Sequence, residues 1–305
     1  MPSPNIDLTG SHVLLTGAAG FLGSRLLRLL QSRGATVTAL IRPGALLAGD
    51  TNARTVEADL SGDFSPDLQQ VGGVDAIIHL AQAGGWRDFP SQTGAIAAVS
   101  IAAAARLAEY GVSHGARQFI LASSGGIYGP SAQALTEDAP IRPTSELGFY
   151  LQAKASAETL LQCFEPHLVV SRLRYFFIYG PGQSEDFLIA RISRSIARGE
   201  SIRLAEACGP RLNPIYVDDA ARATMAALDL KESCAINVAG PEIASLREIA
   251  ELIANVWNHR VAIEPVDKSP DHYVGATDRM VKLLGSPTIG LKDGISRVCH
   301  LEKAE

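Results

Sequence analysis

The sequence predicts an α/β fold, a doubly wound parallel sheet with helices on both faces and a smaller lobe near the C-terminus. Two observations carry this expectation. Short β-branched or apolar runs alternate with longer stretches of helical periodicity, the order that sets parallel strands side by side with helices crossing between them. Several runs are also apolar throughout, as strands covered on both faces are. At 305 residues, 47% hydrophobic and 19% charged, the chain has enough apolar surface for a sizeable core. Its length allows two domains or one large unit.

Taken in order, strands are expected at residues 12–15, 36–41, 55–58, 76–80, 118–122, 167–173 and 235–238. A helix over residues 21–32 is stopped by Gly34, which suits the left-handed C′ position. An Ala-rich helix over residues 96–110 is stopped by Gly111, and another spans residues 150–163. A later helix starts at Ser245, with Glu248 completing a capping box. Its Leu246, Ile249, Ala250, Ile253, Val256 and Trp257 share one face. Regularity falls after Gly180, and strand-like signal returns only at residues 214–217 and 235–238. The chain therefore divides into a sheet domain, residues 1–180 and 213–239, and a discontinuous lobe, residues 181–212 and 240–305. That lobe is expected over the carboxyl edge of the sheet, where open α/β folds bind ligands.

A net charge of -5 argues against a nucleic-acid or anionic-membrane binder, which would carry a basic stripe. No apolar run reads as long enough to span a bilayer, and residues 1–11 lack the features of a signal peptide. Cys163, Cys208, Cys234 and Cys299 are scattered without a CxxC pair and read as buried, reduced thiols. No metal site is expected, because His259, His272 and His300 lack ligand spacing. The reading is a cytoplasmic protein.

Between the first strand and first helix lie Gly17, Gly20 and Gly23, spaced GxxGxxG. Gly17 permits the tight turn, Gly20 lets backbone approach a pyrophosphate, and Gly23 lets helix pack close on strand. Free N–H groups at the helix start then face the anion. This predicts a dinucleotide site. The acid that reads an NAD ribose belongs at the end of the second strand, and Arg42 stands there instead. An Arg pairs well with a 2′-phosphate, which favours NADP(H) over NAD(H), although stacking on adenine or facing solvent also suits it.

Tyr150 and Lys154 form a YxxxK, an i,i+4 pair on one helix face. Roughly one chain in seven of this composition would carry such a pair by chance, so the spacing alone decides nothing. In a cleft, the ammonium would lower the phenol pKa and make Tyr150 an acid/base for hydroxyl–ketone interconversion. Ser124 ends a strand at the functional edge and is placed to hydrogen-bond the same substrate oxygen.

Together these motifs resemble the extended short-chain dehydrogenase/reductase family, in its NAD(P)-dependent sugar-nucleotide epimerase/dehydratase group. The resemblance runs over nearly the whole chain, from Thr16–Gly23 through Asp59-Leu60, His79-Leu80-Ala81, Ser123-Ser124, Tyr128-Gly129 and Tyr150…Lys154. It continues at Leu173–Phe176, Tyr179–Gly182, Val217-Asp218-Asp219 and Ile236-Asn237-Val238. It implies a Rossmann-type domain. A homodimer is a further expectation, with the helices at residues 96–110 and 150–163 pairing with their copies as a four-helix bundle. By position, catalysis falls on Ser124, Tyr150 and Lys154. Phe21 and Leu22 line the pyrophosphate, Asp59 and Leu60 the adenine, Leu80, Ala81, Gln82 and Ala122 the cofactor's middle, and Phe176 the nicotinamide. Asp218 and Asp219 read as helix N-capping.

The departures from the family bear on substrate. Gly125 and Gly126 stand where 4,6-dehydratases carry an Asp-Glu pair, so dehydration is not expected. Phe177 replaces an Asn that touches the nucleotide sugar, Arg211 stands near the place of a diphosphate-binding Arg, and Ile96 replaces a helix Asn. The expected activity is that of an epimerase or ketoreductase, with a nucleotide sugar as small-molecule partner. The alternatives are an NADPH-dependent reductase of a non-sugar ketone or aldehyde and a non-catalytic cofactor sensor. Trp86-Arg87 either reach into the site mouth or pack at the lobe interface, and His79 reads as structural.

Overall fold

The computed structural model describes residues 7–302. In chain order, β1 (His12–Thr16), α1 (Phe21–Ser32), β2 (Thr36–Ile41), β3 (Arg54–Glu57), α2 (Ser65–Leu68) and β4 (Ala76–His79) open the fold. One long helix follows, made of α3 (Thr93–Ala97), a π-helical turn (Ala98–Ala102) and α4 (Ala103–Ser113). Next come β5 (Gln118–Ser124), a 3-10 turn (Gly125–Tyr128), α5 (Phe149–Leu161), β6 (Val169–Tyr175), β7 (Ile178–Tyr179) and α6 (Leu188–Ala197). The remainder comprises β8 (Ile202–Ala205), β9 (Arg211–Leu212), β10 (Ile215–Tyr216), α7 (Val217–Ala226), β11 (Cys234–Val238), β12 (Ala244–Ser245), α8 (Leu246–Trp257), β13 (Ile263–Val266), α9 (Asp278–Leu283) and α10 (Leu291–Glu302).

Seven strands form a parallel sheet in the order β11-β6-β5-β4-β1-β2-β3. The order reverses between β1 and β4, which opens a crevice at their carboxyl ends. Both sheet faces are covered, as the unbroken apolar strands require. On one face Leu26, Leu27 and Leu30 of α1 pack with Ala220, Ala223 and Met225 of α7. On the other, Ala103, Leu107 and Ala108 of α4 pack with Ala153, Ala157 and Leu161 of α5. A third apolar cluster joins α6, α8 and α10 through Ile192, Ile196, Ile249, Ile253, Ile295 and Val298. The capping box at Ser245 and Glu248 is formed.

Several expectations need correction. Gly111 does not end its helix, which runs on to Ser113, and Gly115 at φ +88° follows the end. Gly111 is there for space, since a Cβ would stand 2.9 Å from Ile77 Cδ1 and 3.2 Å from Ala116 Cβ. The composite helix Thr93–Ser113 is, contrary to expectation, long and apolar enough to cross a membrane by length and composition. Its apolar side is spent on the core instead, with Ile96, Val99, Ala103, Ala104 and Leu107 buried. Of the four thiols only Cys299 is buried, because Cys163 and Cys208 fall in exposed turns after α5 and β8.

Asp219 does not cap α7 by its side chain. It lies in the first turn, 2% exposed, and accepts from the backbone N–H groups of Thr288 and Ile289 at 2.9 Å each and from Arg222. Sequence spacing could not reveal partners some 70 residues away. Asp219 thus fastens the chain ahead of α10 to α7.

The β1–α1 turn is a tight joint. Gly17 has φ +75°, and a Cβ there would lie 2.8 Å from the Ala81 nitrogen. A Cβ on Gly23 would overlap the Gly17 carbonyl. Gly23→Ala is therefore expected to cost about 2–4 kcal/mol in denaturant unfolding. Gly94→Ala, at a helical site with nothing within 4 Å, should be neutral or slightly stabilising.

Candidate active site

The helix α5 carries Tyr150 and Lys154 one turn apart, and β5 delivers Ser124 at the carboxyl edge of the sheet. Lys154 is 2% exposed, and its Nζ donates to the Ala122 carbonyl at 2.8 Å and sits 5.9 Å from the Tyr150 ring centroid. Tyr150 donates its phenolic hydrogen to Gln82 Oε1 at 3.2 Å. Ser124 Oγ accepts from the Gly126 N–H at 3.1 Å, which leaves its own hydrogen available to a substrate oxygen.

Electrostatics here differ from the expectation. Burial pushes the Tyr150 phenol up to about 12, opposed by the Arg87 guanidinium. Burial likewise brings Lys154 down to about 8, opposed by Glu158. Desolvation, not the lysine, thus dominates the phenol.

His79 is structural, as read. Its Nε2 faces the Val99 carbonyl at 3.0 Å, so that nitrogen must carry the hydrogen, and Nδ1 accepts from Thr16 Oγ1 at 2.8 Å. Thr16 Oγ1 in turn accepts from the Ala81 N–H at 3.2 Å. Burial holds this imidazole down at about 3, neutral at any working pH. The network sets where Leu80, Ala81 and Gln82 leave the sheet, beside Gly17.

The glycine turn is shaped to take a dinucleotide. Gly20, at the N-cap of α1, is exposed, Phe21 and Leu22 are half-buried beside it, and the missing side chains of Gly17 and Gly23 let the turn close against Ala81 and let α1 pack on β1. Asp59 is exposed at the end of the next crossover, its carboxylate held low by Ser61 Oγ, with Arg42 adding to the effect. Arg42 is exposed as well, with Nη1 on the Gly84 side.

Some carried-over residues sit differently. Leu60 is 7% exposed in the core and offers only backbone to an adenine. Phe176 is 2% exposed, its ring wedged against Gly125 and Gly275, so it presents no ring face to a nicotinamide. Ile96 is 1% exposed and has no polar group to offer. Phe177 is 37% exposed at a strained φ of +46°, edge-on to Tyr273 at 6.2 Å. Arg211 is exposed on β9 near Glu248, and only its backbone is tied to His272 and Tyr273. Trp86 settles against Tyr150, ring centroids 4.5 Å apart. Gln82 as the partner of the phenol had no sequence signal, since the contact joins two segments distant in the chain. Among the described residues no group of His, Cys, Asp and Glu could hold a metal ion.

Burial of Lys154 has a measurable consequence. Its folded value is about 8 against an ordinary 10.5. Between these values the unfolded chain holds a proton that the folded chain has released, so native stability rises with pH across that window. Lys154→Met lacks this gain. The unfolding free energy of wild type minus that of K154M should therefore rise from pH 8 to 10.5 in urea titrations. A flat difference would mean that Lys154 titrates normally.

Comparison with known proteins identifies the family. The chain is 26% identical over 307 residues to "Uncharacterized UDP-glucose epimerase YtcB" of Bacillus subtilis (strain 168), covering 93% of this chain and 95% of that one. It is 27% identical over 310 residues to a dTDP-glucose 4,6-dehydratase of Streptomyces griseus, covering 94% and 92%. Among solved structures it is similar to MoeE5 in complex with UDP-glucuronic acid and NAD, at 26% identity and a TM-score of 0.83, covering 96% of this chain and 99% of that one. That structure holds NAD, and the expected preference for NADP(H) finds no support in it. Residues 13–239 match the NAD dependent epimerase/dehydratase family, an assignment that the strand order, the glycine cradle and the Tyr150–Lys154 face independently fit, and the chain belongs to that family.

Proposed function

We propose that this protein is an NAD-dependent epimerase or 4-ketoreductase of a nucleotide sugar, with epimerisation the leading activity. The observation that carries this reading is the face of α5 that presents a half-buried Tyr150 and a buried Lys154 beside Ser124, at the carboxyl edge near the glycine turn. Gly17, Gly20, Phe21, Leu22 and Gly23 would hold the cofactor's pyrophosphate at the start of α1. When bound, NAD supplies a hydride acceptor for a secondary carbinol and a hydride donor for the ketone.

The chain's own residues supply the rest. Tyr150, as the phenolate, takes the substrate hydroxyl proton and, as the phenol so formed, returns it after reduction. Lys154 stabilises the phenolate charge during that exchange, which matters because burial alone holds the phenol at about 12. Ser124 donates to the substrate oxygen. Residues 181–212 and 240–302 form the substrate-binding part in this reading.

We also propose that 4,6-dehydration is outside its repertoire. Glycines occupy both acid/base places, and a Cβ at Gly125 would overlap the Phe176 ring while one at Gly126 would lie 2.9 Å from Leu151. A second reading, reduction of a non-sugar ketone or aldehyde, is favoured by one observation. Phe177 is exposed at the sheet edge and has no side-chain donor for a sugar or phosphate oxygen.

Mass spectrometry of nucleotide released from freshly denatured protein should identify NAD. UDP-glucose or UDP-glucuronate should then be epimerised, and dTDP-glucose should yield no 4-keto-6-deoxy product. NADPH-dependent turnover of simple ketones by an empty protein would favour the second reading. Tight NAD binding with no turnover on either panel would indicate a sensor. Tyr150→Phe should retain NAD and lower kcat by about 100- to 10,000-fold.

A further inference from the structure

The segment between β4 and α3 joins three parts of the molecule. Gln82 accepts from Tyr150, and four residues on, the Trp86 ring lies 4.5 Å from the Tyr150 ring with planes at 47°. The Arg87 guanidinium carbon stands 4.1 Å from the Trp86 ring centroid. Arg87 Nη1 also donates across the cleft to the Asp186 carbonyl at 3.3 Å, in the stretch between β7 and α6. Phe89 then stacks on Phe149, the residue before Tyr150, at 5.6 Å. The phenol is thus gripped from one segment, and that segment is tied to chain on the far side of the cleft.

We propose that Trp86 and Arg87 are positioning residues for Tyr150: Arg87 fixes the segment after β4 to the Asp186 carbonyl and, through Trp86, holds the phenol ring in place. The proposal rests on Tyr150 being the proton-transfer residue. Its physical basis is shape and charge together. A guanidinium can stack its plane on an indole while its edge donates to a carbonyl, and an ammonium cannot do both. The indole in turn covers one side of the Tyr150 ring and excludes water from it. The charged groups facing Tyr150 are Arg87 from this segment and Lys154 from its own helix, while Gln82 is neutral. Asp88, Glu185 and Asp186 are the acids on the two joined segments, and Glu185 is paired with Arg194. Because the anchor on Asp186 lies in the stretch leading to α6, displacement of that stretch on substrate entry is transmitted to the phenol through two side chains.

The first readout is independent of activity. In protein labelled at the tyrosine ring carbons, the Tyr150 resonance is assigned by its loss in Y150F. Trp86→Ala should move it strongly by removing the indole ring current, and Trp86→Phe should move it less. Arg87→Ala should displace it in the same direction as W86A, with Arg87→Lys intermediate. The second readout is turnover of UDP-glucose and UDP-glucuronate against pH. R87A and W86A should lower kcat about 10-fold while still retaining NAD through purification, and W86F should recover most of it. In R87A, loss of a nearby positive charge should also move the Tyr150-dependent limb of the profile up by about half a unit to one unit.

An unmoved Tyr150 resonance in R87A would overturn the proposal, as would a moved resonance with unaltered kcat and pH profile. Undiminished turnover in Y150F would instead overturn the reading of the site, a separate failure. If neither sugar nucleotide turns over, the pH limb is read from the Tyr150 resonance itself, and the absence of an upward shift in R87A overturns the proposal.

Discussion

A buried ion pair sets the geometry on which the site depends. Tyr150, Lys154 and Glu158 follow one another at four-residue spacing on α5, so a single helix face carries all three. Arg174 on β6, in register with Ser123, meets Glu158 through Nε at 3.1 Å to both carboxylate oxygens and through Nη2 at 2.6 Å. The two side chains are 7% and 3% exposed. Breaking such a pair leaves an uncompensated buried charge, at a cost of about 3–5 kcal/mol, so the helix face has little freedom to rotate. The Nη1 donors of Arg174 are taken by Tyr128 Oη at 2.5 Å and the Glu137 carbonyl at 3.1 Å. Tyr128 passes the chain on to Asn237 on β11 at 2.8 Å. Through Arg174 and the Ala122 carbonyl, Glu158 and Lys154 of α5 are therefore tied to strands of the central sheet and to the loop after β5.

The same helix face explains the electrostatic cost of the site. Glu158 lies one turn beyond Lys154 and opposes the desolvation of its ammonium without abolishing it. A charged amine with a single carbonyl partner in a closed site is a poor solution for stability and a useful one for proton transfer. The phenol is in the reverse position, since burial keeps it protonated and cations must offset that burial before it can release its proton. Arg87 lowers the phenol already, and Lys154, its Nζ 5.9 Å from the Tyr150 ring centroid, is the other nearby cation.

On the cofactor side, His79 does what an apolar residue could not. It is fully buried, bonded at both ring nitrogens, and joins the end of β1 to the π-helical turn of the long helix. The Val99 carbonyl lies in the π-helical turn, and the imidazole donates to it. The Gly17 turn and the start of the Leu80–Gln82 stretch are fixed relative to each other by this contact and by the Thr16 hydroxyl. Rigid support of this kind is what a glycine cradle needs, because its own residues restrain the backbone least.

Local signals determined much of this protein. Strand–helix alternation, glycine spacing and the capping box follow from backbone sterics within a few residues, so the sheet elements, the β1–α1 turn and the Tyr150–Lys154 pairing were legible in the sequence. Only the tertiary structure decided matters that depend on partners far along the chain. Gly111 reads as a helix stop, but Ile77 needs its missing side chain. Asp219 reads as a cap, but its partners are Thr288 and Ile289. Phe176 reads as a cofactor contact, but glycines at 125 and 275 draw its ring inward. The ionisation of Tyr150 belongs to the same class, because desolvation is set by everything packed around the phenol and by no residue spacing.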